Sequence, residues 1–170
     1  GKYILLHNAD TEVESDALRI MFDFLDSNPA YGAAAPKLVN RDGSTQGGCM
    51  AFPGFWTPLC FGTPLERWWP KSPELNRYFL RSWDHEDDRD IDQPPAACLM
   101  VRRAVLEEIG HFDEVLWLFF NDVDLSLRLA RAGYKTRFLS ESRVMHHVGA
   151  STSQFRGMHI EWQKNRLHYY

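Results

Sequence analysis

Cysteine is scarce. Cys49, Cys60 and Cys98 are three in 170 residues, an odd number with no Cys-x-x-Cys spacing. That excludes a fully paired disulfide framework and a thiolate zinc site, and it fits a reducing compartment. No apolar run approaches the roughly 18 residues that a membrane span needs. Positive charge is not in excess: 19 Lys and Arg face 23 Asp and Glu, and the net −4 excludes a nucleic-acid partner recruited by bulk charge. No internal repeat is visible, and 44% apolar with 25% charged residues excludes a disordered or collagenous chain. What is abundant is aromatic: 14% of residues, with six Trp. A chain of this length buries roughly two-thirds of its unfolded surface, enough for a core of its own.

The apolar run from Tyr3 to Leu6 predicts a buried strand that ends at Asn8-Ala9-Asp10. Ser15 offers an N-cap, and Leu18, Met21, Phe22 and Leu25 at i, i+3, i+4 and i+7 predict an amphipathic helix stopping near Asn28-Pro29. Residues 33–39 predict a second strand, with Pro36 arguing for an edge or an irregular end. Arg41-Asp42-Gly43-Ser44 marks a turn. From 47 to 95 the texture changes: seven of nine prolines and four of six tryptophans lie here, and 84–92 holds six acidic residues. With no clean period, this stretch predicts a long irregular excursion with a short helix, either functional or a tolerated surface insertion. Beyond it, 97–101 predicts a strand, 103–109 a helix closed by Gly110, 122–132 a helix closed by Gly133, and 134–139 and 143–148 two extended segments. A helix follows from Glu161 to Tyr170. Alternating strands and helices predict an α/β layer fold with some parallel pairing.

Three places could carry chemistry. Asp10 stands just past a strand, where open α/β sheets gather ligands, and a carboxylate there could hold Mg²⁺ or Mn²⁺ beside a phosphate. Its bland reading is a turn or cap residue. Asn121-Asp122-Val123-Asp124 opens a helix, where acidic residues are favoured by the helix dipole alone. Asp124 is also four residues before Arg128, an ion-pair spacing, whereas Asp122 has no such partner in sequence. The aromatic run 117–120 ahead of Asp122 would desolvate it, as a general base requires. His146 and His147 sit in an extended segment and point to opposite faces, so at most one serves a given site. Taken singly, none of these outweighs its structural reading.

Their joint order does. LLHNADTEV is followed by PKLVNRDGSTQ, DQPPAACLMVRRAVLEEIGHFDE and FFNDVDLSLRLARAGYKTRFLSESRVMHHVGAS. This order resembles the later half of family 2 glycosyltransferases, in particular the bacterial rhamnosyltransferase-like group. It covers nearly the whole chain outside the excursion. The resemblance implies a partial GT-A fold, an α/β Rossmann-like nucleotide-diphospho-sugar transferase domain with a mixed sheet flanked by helices. Residues 1–170 would be the C-terminal part of one such domain, with the N-terminal nucleotide-binding half missing.

The same resemblance implies roles. Asp10 corresponds to the metal-binding aspartate of an Asp-x-Asp-like motif, with Asn8 beside the diphosphate. Asp122 corresponds to the catalytic base, and His146 to the histidine completing the metal site, with His147 as the one-residue alternative. Ala96 and Ala97 correspond to a Gly-Ala turn near donor sugar and acceptor, and Arg102 with Arg103 to a basic pair after it. Asp124 corresponds to a structural or acceptor-side carboxylate. Three positions depart from the family pattern: Asn121 stands for Glu, Ala9 for Pro and Ala96 for Gly. The implied reaction is inverting, metal-dependent transfer from a nucleoside-diphosphate sugar to a glycan or lipid-linked acceptor in cell-surface polysaccharide synthesis. The implied setting is cytoplasmic, with peripheral contact at the inner face of the plasma membrane and self-association both compatible and no nucleic acid involved; the fragment alone is expected to be inactive. The alternatives are a non-catalytic carbohydrate-binding or scaffold module, with Trp-rich 56–83 stacking on sugars, and a metal-dependent hydrolase.

Overall fold

The computed structural model describes residues 1–95, 97–147 and 158–170. Its elements are β1 (Tyr3–His7), β2 (Thr11–Val13), α1 (Ala17–Ser27), β3 (Tyr31–Val39), α2 (Thr57–Cys60), α3 (Pro64–Trp68) and α4 (Pro73–Tyr78). They continue with β4 (Arg89–Ile91), β5 (Cys98–Arg102), α5 (Arg103–Ile109), a 3-10 turn (Glu114–Leu116), α6 (Asn121–Arg131), β6 (Lys135–His146) and α7 (Met158–Tyr169). Among the described residues no helix is long and apolar enough to cross a membrane.

The strands form one mixed sheet in the order β1-β5-β3-β6-β2, with β4 also on β6. β3 and β6 run parallel; β1 and β3 each pair antiparallel with β5. The outer edge of β6 is shared, β4 covering Thr136–Phe138 and β2 covering Val144–His146. β3 is buried along eight of its nine residues because both faces are covered. Alternation divides the core accordingly. Ala33, Ala35, Leu99 and Val101 face Val105, Leu106, Leu125 and Leu129 of α5 and α6, while Ala34, Leu38, Cys98 and Met100 face Met21 and Leu25 of α1. The consecutive alanines keep the strand thin enough for helices on both sides.

Several expectations need correcting. The α1 stripe is narrower than the spacing predicts: Ala17, Met21 and Leu25 are buried, whereas Leu18 and Phe22 sit on the exposed margin. Pro36 is not on an edge strand. It is tolerated inside the sheet because β5 reaches β3 only at Ala33 and Ala34, and because the β3–β6 register shifts directly after Pro36. The segments 134–139 and 143–148 are one strand, β6, from which Ser140–Ser142 bulge; Val148 lies outside the described residues. Gly110, at φ +84°, ends α5 as the sequence suggests.

The 47–95 stretch is also more ordered than expected, with three short helices and a strand. Its ends are pinned together where Met50 and Gln93 exchange backbone hydrogen bonds of 2.9 and 3.1 Å. Ser72 and Thr63 cap α4 and α3, and each of the three helices starts with Pro at N1 or N2, which locally replaces the missing period. Part of the acidic run is held against the sheet: Asp90 pairs with Lys135 and Arg137, Glu86 with Lys37, and Asp88 accepts from Ser140. α7 docks on this stretch, with Trp162 edge-on to Phe61 at 5.3 Å and Arg166 donating to the Pro58 carbonyl.

Candidate active site

β1, β3 and β6 point the same way, so their carboxyl ends share one edge of the sheet, the edge at which open α/β folds bind ligands. Antiparallel pairing of β1 with β5 sets His7 against Cys98, and Asn8 N–H donates to the Ala97 carbonyl at 2.9 Å. Asn8 and Ala97 are therefore neighbours although nearly ninety residues apart in sequence. Ala96 lies outside the described residues.

β2 pairs with the end of β6 so that Thr11 faces His146, and His147 N–H donates to the Asp10 carbonyl at 2.8 Å. This brings the His146 Nε2 to 3.6 Å from the Asp10 carboxylate, with the two side chains 17% and 12% exposed. His147 turns away to the exposed Glu12 at 2.9 Å, as alternation along a strand requires. Of the two histidines, His146 is the one whose ring faces Asp10.

Gln46 completes this arrangement, and sequence reasoning missed it. Its Nε2 lies among three oxygens, donating to the Asn40 Oδ1 at 2.8 Å, the His146 carbonyl at 2.6 Å and the Val39 carbonyl at 3.4 Å. The Oε1 must then face the His146 Nδ1, 3.1 Å away, and accept its hydrogen. The imidazole thus presents its Nε2 toward Asp10 while its Nδ1 is held by a second group, the orientation of a metal-ligating histidine. Only the position of Gln46, just after the turn beyond β3, hinted at this.

A carboxylate oxygen and an imidazole nitrogen suit Mn²⁺ or Mg²⁺ as a partial donor set. Among the described residues no group of three or more His, Cys, Asp or Glu gathers to hold a metal. Two protein donors of this kind would leave coordination positions for substrate oxygens.

Asp122 opens α6 on the wall of a pocket of about 280 Å³, lined also by Met50, Phe61, Tyr78, Gln93, Phe120 and Trp162. It is the one carboxylate among the lining residues. The Asn121 amide oxygen accepts from the Asp122 N–H, and Asp122 Oδ1 from the Val123 N–H, both at 2.9 Å. Phe120, immediately before this helix, has φ +64°, a conformation that costs a non-glycine residue about 1 kcal/mol or more and recurs at functional sites. Its ring is held there by Trp162 and Tyr169 of α7. Across the pocket, burial raises the Tyr78 phenol above its ordinary value; its hydrogen bond with Gln93 works against this and the charge of Asp122 adds to it. The segment 46–50 joins the two centres: Gln46 touches His146, while Gly48 and Met50 line the pocket of Asp122.

Two anticipated contacts do not reach this region. Arg102 is at the far end of β5 from Cys98, about 13 Å along the strand. Its guanidinium donates to the carbonyls of Tyr31 at 2.7 Å, Asn28 at 3.0 Å and Leu25, closing the C-terminal end of α1. Asp124 pairs with Arg128 at 2.8 Å, and Arg128 in turn caps the carbonyls of Ile109, Gly110 and His111. The i,i+4 ion pair that the spacing predicts is therefore present.

A strand-end carboxylate–imidazole pair and a carboxylate at a helix start are thus both bordered by the 46–50 segment. The model of the glycosyltransferase-like family 2 matches residues 1–165, and the chain belongs to that family. It is 25% identical over 158 residues to the N-acetylglucosaminyl-diphospho-decaprenol L-rhamnosyltransferase of Mycobacterium tuberculosis, covering 93% of this chain and 51% of that protein. It is 29% identical to the O-antigen biosynthesis protein RfbC of Myxococcus xanthus, over 89% of this chain and 11% of that one. The chain thus spans about half the length of the mycobacterial relative. A crystal structure of GalNAc-T7 with UDP, GalNAc and Mn²⁺ superposes with a TM-score of 0.57 at 18% identity, over 86% of this chain and 27% of that one, which establishes the shared fold.

Proposed function

We propose that this chain provides the metal-binding edge and catalytic base of an inverting glycosyltransferase, which moves a sugar from a nucleoside-diphosphate donor to an acceptor hydroxyl in cell-surface polysaccharide synthesis. The observation that carries the reading is the linkage of two centres through 46–50, Asp10 with oriented His146 on one side and Asp122 in its pocket on the other.

Asp10 and His146 would hold a divalent cation, Mg²⁺ or Mn²⁺, which when bound neutralises charge on a diphosphate leaving group. Asn8 and Ala97, at the same sheet edge, flank the position of the diphosphate and donor sugar. Asp122 accepts the proton of the acceptor hydroxyl as that oxygen attacks the anomeric carbon, while the aromatic walls of the pocket keep bulk water out. Tyr78 and Gln93 orient the acceptor from the opposite wall. One displacement with a base on the face away from the leaving group inverts the anomeric centre. Asn121 beside the base supplies an amide cap where a carboxylate is usual for the family, which leaves a single negative charge at the pocket wall.

The named substrate of the mycobacterial relative favours an acceptor of its class, a glycan on a lipid diphosphate, with the protein working on the cytoplasmic side of a membrane. The test is transfer by the full-length protein from nucleoside-diphosphate sugars to a lipid-diphosphate glycan, with product stereochemistry read by NMR. A product of inverted configuration supports the reading; a product of retained configuration, or glycan binding with no transfer from any donor, contradicts it.

A further inference from the structure

The exposed aromatic surface of α2 and α3 belongs neither to the core nor to the pocket. Leu65, Trp68 and Trp69 fall at i, i+3 and i+4, one face of α3, and are 46%, 80% and 62% exposed. Trp56 and Leu59 show the same spacing at α2 and are 60% and 50% exposed, with Phe55 edge-on to Trp56. Single exposed apolar residues are ordinary, but six large ones within fifteen residues, three of them Trp, mark an interaction surface.

Charge indicates the partner. The whole chain is net −4, yet residues 55–82 carry four cations and two carboxylates. Both carboxylates are engaged inside the segment, Glu66 accepting from the Gly62 N–H and Glu74 paired with Arg77. Arg67 and Lys71 are left at the surface beside the tryptophans. Next to them an open groove of about 700 Å³ is lined by Pro70, Lys71, Asn76, Arg77, Arg81 and Ser82; with Arg77 held by Glu74, Lys71 and Arg81 are the cations left in a lining that holds no carboxylate. Tryptophan with flanking Lys and Arg is the chemistry of the bilayer interface, where the indole sits at headgroup depth and cations meet anionic lipid.

We infer that the Trp56–Trp69 surface docks on an anionic phospholipid bilayer, with the Lys71–Arg81 groove receiving headgroup phosphates. This goes beyond the transfer reaction and does not depend on it. It places the mouth of the Asp122 pocket close to a membrane, because Phe61 and Tyr78, which line that pocket, belong to the same small helical unit.

The test is sedimentation of the full-length protein with phosphatidylcholine vesicles, with and without phosphatidylglycerol. Binding is expected only with the anionic lipid, with a blue shift of tryptophan emission, and is expected to weaken as salt rises. The combined Trp56→Ala, Trp68→Ala and Trp69→Ala variant, and separately Arg67→Glu with Lys71→Glu, should each bind at least about tenfold more weakly with circular dichroism unchanged. Equal binding to both vesicle types, or undiminished binding by the tryptophan variant, overturns the inference. So does acrylamide shielding of these tryptophans without vesicles, which would mean that the rest of the protein covers them. Concentration-dependent self-association that the tryptophan variant loses, in the absence of vesicle binding, would assign the surface to a second copy and also overturn it.

Discussion

Gln46 grips His146 at two points, donating to its backbone carbonyl at 2.6 Å and accepting from its Nδ1 at 3.1 Å. The first bond fixes the end of β6 and the second fixes the imidazole, so the Nε2 is aimed at Asp10 before any ligand arrives. Gln46→Leu should therefore weaken binding of Mn²⁺ with nucleoside diphosphate by about 10- to 100-fold while leaving the melting temperature within a few degrees. Titration calorimetry reads this directly. Unchanged affinity would mean that His146 is not a ligand or needs no orienting.

Arg102 should behave oppositely. Its guanidinium serves the carbonyls of Leu25, Asn28 and Tyr31 and lies over the Tyr3 ring at 5.5 Å. Arg102→Ala strips charged donors from these carbonyls and should cost about 2–3 kcal/mol of stability in denaturant unfolding. Nucleotide affinity, measured where the variant is folded, should stay within a factor of about two. A large affinity loss with intact stability would restore Arg102 as a substrate contact.

Gly62 governs the seating of α7. It has φ +71°, and a Cβ there would stand 2.3 Å from the Trp162 ring. Gly62→Ala should thus both strain the loop and push Trp162 off Phe61 and Phe120, at a cost of about 1–3 kcal/mol. Limited proteolysis should show earlier cleavage within α7 in the variant. Wild-type resistance would show that α7 is anchored elsewhere.

Thiol reactivity offers a check on the core. Burial pushes the Cys49 thiol up to about 12 and the Cys98 thiol up to about 11. Because the thiolate is the nucleophile, raised values leave these groups protonated at pH 8, and burial also denies reagent access. Cys60, at intermediate exposure, should react with a disulfide reagent at least about tenfold faster than either, and all three should react after unfolding. Rapid labelling of Cys98 would argue against the packing of β5 between β1 and β3.

The elements were legible in the sequence where local chemistry dominates. Met21 and Leu25 announce α1, and Gly110 closes α5. What escaped depends on contacts distant in sequence. Pro36 reads as an edge residue until the register shift on β6 accommodates it, and two strands merge into β6 because β4 and β2 share its outer edge. Gln46 carries no motif, since its importance arises only when β3 and β6 place it against His146, a hundred residues away. Arg102 shows the converse: adjacency to the Ala97 block in sequence becomes, along an extended strand, separation to the opposite end of the sheet.

The most direct measurement is Asp122→Asn in the full-length protein, assayed both for sugar transfer and for binding of Mn²⁺ with nucleoside diphosphate. The substitution keeps size and hydrogen-bonding capacity but removes the proton acceptor, so transfer should fall by at least about 10²-fold. Binding at Asp10 and His146 should remain near the wild-type value. Turnover within a few-fold of wild type, with binding intact, would contradict the assignment of Asp122 as the base.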